Sequence, residues 1–163
     1  MSLNKKERYM GRPLRTRIDF AKTLSWYDFF HNQLIAFVKI KNHFGLAKLL
    51  CKDTEKSHES NLFKKYKFGL STPQQEWIDI IDSKCIGSSN IINHSIWKNL
   101  KYRTTEEKLI LIELNNLPNY IFENLIINGH IKDFNKSDLE KLAQYGSLDS
   151  LCALYLLHQW GYS

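Results

Sequence analysis

Cysteine is sparse in this chain, and what there is lacks the spacing of a crosslinked or metal-binding framework. Cys51, Cys85 and Cys152 are odd in number, far apart, and form no CxxC pair. That pattern argues against a disulfide scaffold and points to a reducing, cytoplasmic compartment. The six histidines (His31, His43, His58, His94, His130 and His158) are scattered, with neither HExxH nor the His/Cys spacing of a zinc centre. No Walker loop, GxGxxG or GxSxG is present. No apolar run approaches the roughly 18 residues of a membrane span. The basic N-terminus leads into no signal-type hydrophobic segment, so no membrane association is expected. No stretch alternates apolar and polar residues long enough to demand a sheet, and no repeat of fixed period is visible. Asp79 and Asp82 are three apart and could hold a divalent ion, but a solvated helix face accounts for them. Cys51 would need a base that the sequence does not place beside it. The expectation is a non-enzymatic protein without cofactor or metal.

What is abundant is apolar surface and positive charge, the latter unevenly spread. The 163 residues are 43% hydrophobic and 25% charged, enough for one real core, or one domain with a small appendage. The net charge of +6 conceals a division. Residues 1–68 hold 15 Lys/Arg against 6 Asp/Glu, a net +9, whereas residues 69–163 hold 8 against 11, a net −3. A basic half joined to an acidic half suggests a polyanion-binding module beside a packing or partner-facing one.

Helical periodicity and punctuation run through nearly the whole chain, and the expected fold class is all-α. Residues 1–17 lack apolar periodicity and are expected to form a flexible basic arm carrying Arg8, Arg12, Arg15 and Arg17. Residues 18–44 are dense in aromatics. Phe20, Leu24, Tyr27 and Leu34 follow helical spacing, as do Trp26, Phe29, Phe30, Phe37 and Val38, which predicts one long or two shorter helices with one side buried. Residues 45–51 continue as a helix, and the polar run from Asp53 to Ser60 reads as a loop. Trp97 and Leu100 anchor a short helix, and a boundary is placed near residue 103. Beyond it, Thr104 with Glu107 and Ser137 with Glu140 predict capping boxes. Leu109, Ile112 and Leu114 are expected on the buried side of the first of these helices. Leu117-Pro118 opens another, stopped by Asn128-Gly129, and Ser147 caps the last. That last helix places Leu148, Leu151, Cys152, Tyr155 and Leu156 on one side, with Leu154, Leu157 and Trp160 around it. It is expected either to form the centre of the helical bundle in 104–163 or to pair two copies in a homodimer.

The most informative stretch is Asn61 to Ser88. Leu62, Phe63 and Tyr66 share one face of a helix, while Asn61, Lys64 and Phe68 point away, with Lys65 and Lys67 on the flanks. Gly69 suits the left-handed position that ends a helix, and Pro73 the first turn of the next, whose apolar side holds Trp77, Ile78, Ile80 and Ile81. The run Tyr66-Lys67-Phe68-Gly69-Leu70-Ser71-Thr72-Pro73, with Leu46-Ala47-Lys48-Leu49-Leu50 upstream, resembles the recognition helix, following turn and preceding helix of the Cro/repressor-type helix-turn-helix family. It covers about residues 45–88. Two features depart from that pattern: the Lys52–Ser60 connection is longer than the family's short turn, and Glu59 is an anion near the phosphates. Gly11-Arg12-Pro13 resembles the centre of an AT-hook, with Met10 where the motif has Arg.

These observations lead to a helix-turn-helix-like domain over 18–103 that reads duplex DNA, as in a small bacterial or phage regulator. The resemblance implies that Asn61, Lys64 and Lys65 face a major groove, with Lys67 and the arginines Arg8, Arg12, Arg15 and Arg17 near phosphates. The alternative is an all-α interaction module, an adaptor or inhibitor, whose basic half binds a larger protein or ribonucleoprotein complex. Single-stranded nucleic acid stacking on Trp26, Tyr27, Phe68 or Trp77 is a variant.

Overall fold

The computed structural model describes residues 15–38, 43–50 and 60–161. The expectations for Arg8, Arg12, Gly11-Arg12-Pro13, Cys51, His58, Glu59 and the 51–59 connection lie outside those residues, as do the side chains of Phe37, Val38 and His43. The fold is all-α. It runs α1 (Arg17–Val38), α2 (His43–Leu50), α3 (Ser60–Lys67), α4 (Gln75–Asp82), α5 (Ser88–Ile92), α6 (Ile96–Asn99), α7 (Glu107–Asn115) and α8 (Asn119–Leu125). A short hairpin, β1 (Ile126–Ile127) and β2 (His130–Ile131), precedes α9 (Lys136–Gln144) and α10 (Leu148–Trp160).

The apolar residues separate into two cores. The first joins α1 to α5 around Trp26, Tyr27, Phe30, Phe63, Tyr66 and Trp77; the second joins α6 to α10 around Ile110, Leu114, Ile121, Cys152 and Leu156. The change of core falls between Ile92 and Ile96, so α6 belongs with the C-terminal half, about ten residues before the boundary that composition marks near 103. Helix α1 serves both, because Ile18 and Ala21 near its start pack on the second core. It begins with a capping box: Thr16 Oγ1 accepts from the Asp19 amide at 3.1 Å, and Asp19 Oδ2 accepts from the Thr16 amide at 3.2 Å. Asp19 also pairs with Lys101 at 2.7 Å, tying α1 to the chain just after α6. Lys101 and the Thr16 hydroxyl hold the Asp19 carboxyl down at about 2, from the usual 3.8.

Several local expectations need correction. In α7 the inward residues are Ile110 and Leu114, whereas Leu109 and Ile112 face out. The run Leu109-Ile110-Leu111-Ile112 is apolar all round, so spacing alone does not select its buried side. Thr104 makes no box with Glu107: its amide donates to Gln159 Oε1 at 2.8 Å, docking the segment before α7 onto α10. The box expected at Ser137 and Glu140 lies two residues earlier, between Asn135 and Asp138. Ser147 does cap α10, in a reciprocal pair with Ser150. Pro73 lies just outside α4, whose N-cap is Gln74. Asn128-Gly129 does more than stop α8. Both adopt positive φ, 52° and 80°, which is the two-residue hairpin turn that Asn-Gly favours, pairing Ile127 with His130.

Helix α10 forms the centre of the C-terminal half. Cys152, Ala153, Leu156 and Leu157 are buried against α6, α7, α8 and α9, which accounts for most of its apolar circumference. Tyr155 is half-buried and Leu151 stands 52% exposed, so the buried side is rotated from the one the spacing predicts. No helix of the described residues is long and apolar enough to cross a membrane.

Candidate nucleic-acid interface

Helix α3 is positioned by two aromatic side chains. Phe63 and Tyr66 are fully buried. The Tyr66 ring meets Trp26 of α1 edge-on at 5.5 Å, and the Phe63 ring meets Trp77 of α4 edge-on at 5.3 Å. Edge-to-face pairs of this kind contribute about 0.5–1.5 kcal/mol each beyond the area they bury. They also fix the rotation of the helix. At about 100° per residue, sending positions 63 and 66 inward sends 61, 64, 65 and 68 outward and leaves 67 on a flank. Asn61, Lys64, Lys65, Lys67 and Phe68 are indeed all exposed.

The lysines suit this helix locally, since cations in a last turn face the partial negative charge of the helix end. Among the described residues none of Lys64, Lys65 and Lys67 forms an ion pair with a carboxylate. The Lys67 ammonium lies 5.8 Å from the Phe68 ring centre. Its field reaches α1: burial first, and Lys67 second, push the His31 imidazole below its ordinary pKa, and that ring stacks on Tyr27 at 5.0 Å. A neutral His31 therefore leaves the positive charge of this surface to lysine and arginine.

The turn after α3 is closed by two bonds, Gly69 N–H to the Tyr66 carbonyl at 2.9 Å and Leu70 N–H to the Lys65 carbonyl at 2.8 Å. That is the Schellman pattern, with Gly69 at φ 61° in the left-handed position. Arg15 seals it from the other side. Its Nη1 donates to the Gly69 carbonyl, while Nη2 donates to the Asp19 carbonyl at 2.8 Å and to Thr23 Oγ1 at 2.7 Å. Arg15 is thus a structural pin between α1 and the α3 turn. Its guanidinium is engaged inside the fold rather than extended on an arm, and any arm ends before residue 15. Arg17, the first residue of α1, is exposed.

Beside this pin lies a notch of about 340 Å³ whose lining includes Arg17, Phe20, Gly69 and Leu70. Helical spacing assigns Phe20 to the buried stripe of α1; in the fold it is 43% exposed, with Gly69 against one side of its ring. The other stacking candidates are placed differently. Trp26, Tyr27 and Trp77 are buried and Phe68 is 47% exposed, so nucleobases can reach Phe68 and Phe20 but not the tryptophans.

Elsewhere one cluster brings together chemically capable groups. His94 Nε2 lies 2.9 Å from Asp149 Oδ1, and Asn99 Nδ2 donates to Cys152 Sγ at 3.4 Å. His94 Nδ1 already accepts from the Ile96 amide at 3.1 Å, so neither ring nitrogen is left to act as a base. Cys152 is fully buried, and burial pushes its thiol above the ordinary range. This cluster joins α6 and the residues just before it to α10. Asp82 has a similar structural use, accepting from the Ser89 amide at 2.7 Å at the start of α5. Among the described residues no group of three or more His, Cys, Asp and Glu side chains could hold a metal ion.

Set against known proteins, the chain matches no family model, no curated protein and no solved structure.

Proposed function

We propose that the protein binds duplex DNA through α3 and acts as a small regulator. The observation that carries this reading is the outward face of α3: Asn61, Lys64 and Lys65 stand together and exposed, with Lys67 beside them, on a helix held rigidly from behind by Phe63 and Tyr66. An amide among ammonium groups suits a major groove, where Asn can pair with the N6/N7 edge of adenine while lysines neutralise phosphates. Arg17 extends the same charge onto α1, and Arg8 and Arg12 precede it in sequence. The bulk charge agrees, with +9 on residues 1–68. The test is equilibrium binding of random duplex DNA across a salt series, with an acidic protein as competitor. Affinity indifferent to salt, or displacement by the acidic protein at equal charge, would defeat the reading.

A second reading is favoured by one observation in the other half. Leu109 and Ile112, three apart on α7, are both about half-exposed. Such a pair gives a protein or ribonucleoprotein partner an apolar contact that duplex DNA does not need. The outer side of α10, where exposed Leu151 lies between half-buried Leu148 and Leu154, is where a homodimer would form.

A further inference from the structure

We propose that the notch between Phe20, Gly69, Leu70 and Arg17 receives a nucleobase displaced from the duplex bound by α3. This rests on the duplex reading above and adds a second point of contact to it. Three features converge. The first is an aromatic face at an unusual depth. Phe20 is 43% exposed although it belongs to a helix that buries Trp26, Tyr27 and Phe30, and Gly69, lacking a side chain, covers one side of the ring and leaves the other open. The second is size: the space of about 340 Å³ is walled by Leu70, itself 67% exposed, and its volume exceeds that of one planar base. The third is charge. Arg17 lies at the rim, and the carboxylate next along α1, Asp19, is already compensated by Lys101 at 2.7 Å. A base needs an aromatic or aliphatic face for its ring and a cation for its phosphate, and both are present.

The notch also sits where a strand tracking α3 would pass. Leu70 follows the turn that ends α3, and its amide bonds back to Lys65. Apolar side chains next to a duplex commonly act as wedges that partly unstack a step, and the arrangement here supplies both wedge and receptacle. The charge favours a nucleic acid over the side chain of a protein partner, since Arg17 lines the notch and residues 1–68 carry a net +9.

The test compares two probes with the full chain: a fully paired duplex, and the same duplex carrying one unpaired 2-aminopurine. Unpairing prepays the unstacking, so the wild-type chain should bind the second about tenfold more tightly, with a change in probe fluorescence. Leu70→Ser and, separately, Phe20→Leu should reduce that preference to about twofold or less, read as the ratio of the two affinities within each variant; circular dichroism checks that both variants are folded. Equal affinity of the wild type for both probes, with salt dependence intact, overturns the notch and leaves the duplex reading standing. A preference that survives both substitutions also overturns it. Failure to bind either probe removes both proposals together. Displacement of both probes by an acidic peptide carrying one phenylalanine would assign the notch to a protein side chain instead, and so overturn it.

Discussion

Arg15 and Gly69, 54 residues apart in sequence, are joined by a hydrogen bond from the Arg15 guanidinium to the Gly69 carbonyl. With the bonds from the same guanidinium to the Asp19 carbonyl and Thr23, it fixes the end of α3 to the start of α1. An arginine in a basic run thereby becomes part of the scaffold that aims its neighbours.

Truncation should expose this division of labour. Removing residues 1–14 deletes Lys5, Lys6, Arg8, Arg12 and Glu7, a net loss of three positive charges, and should weaken DNA binding with no change in melting temperature. Removing residues 1–17 also deletes Arg15 and the Thr16 cap, and should cost about 2–3 kcal/mol, a drop of several degrees. Equal melting temperatures for the two truncations would refute the pin.

At Gly69 two penalties coincide. An added Cβ would lie 2.5 Å from Phe20 Cδ2 and 3.0 Å from Cγ, and φ is 61°. Gly69→Val should destabilise the chain by about 1–3 kcal/mol, read as a lower urea midpoint with an unchanged slope. An unmoved midpoint would show that the turn and the ring adapt freely.

The lysines of α3 should be visible in the salt dependence. If the chain neutralises roughly five or six phosphates, log affinity falls against log salt with a slope near −5. Replacing Lys64, Lys65 and Lys67 together with Gln should flatten the slope to about −2, close to one unit per lysine. A triple variant with the wild-type slope would place the contact elsewhere.

Acid should reveal Asp19. Its folded carboxyl is held at about 2, below the ordinary 3.8, by Lys101 and Thr16, so the ionised form stabilises the fold. That stabilisation is complete above the ordinary value and is lost as pH falls from about 4 to about 2. Asp19→Asn should cost about 1 kcal/mol at neutral pH, a modest figure because Lys101 is partly exposed. The gap between variant and wild type should narrow as pH falls from about 4 to about 2 and close only below that, measured as urea midpoints. A gap independent of pH would mean that packing, not charge, is what the substitution removes.

A homodimer through α10 would be disrupted at Leu151. Light scattering of the wild type at micromolar concentration should give twice the chain mass, and Leu151→Lys a single-chain mass with unaltered helicity. One chain mass for the concentrated wild type ends the pairing idea.

Much of this architecture is legible in the residues, for identifiable reasons. The faces of α3 follow from the spacing of Leu62, Phe63 and Tyr66, because a short helix with two large aromatics has one way to bury them. The left-handed Gly69 and the Ser147 cap follow from residue types that have few other uses at helix ends. Where the signal is local but brief it is easily outweighed. Asn128-Gly129 marks a hairpin, yet only two residues flank it on each side, so helix punctuation dominates the reading. The notch is less legible still. Nothing near Arg15 points to an acceptor 54 residues away, and helical spacing places Phe20 with the buried stripe although a glycine from another helix end is what covers it. Long-range partners of this kind leave no periodic trace.

Helix α1 spans 22 residues, about 33 Å at the usual rise, and contributes Trp26, Tyr27 and Phe30 to one core and Ile18 and Ala21 to the other. Neither core can lose its share of α1 without exposing apolar surface in both. Heat should therefore melt the two halves in a single cooperative transition, its calorimetric and van't Hoff enthalpies equal. The same continuity gives a ligand on α3 a mechanical route to the other end of the molecule. Stiffening α1 by occupying its neighbour should slow amide exchange as far away as α6, with no second site required.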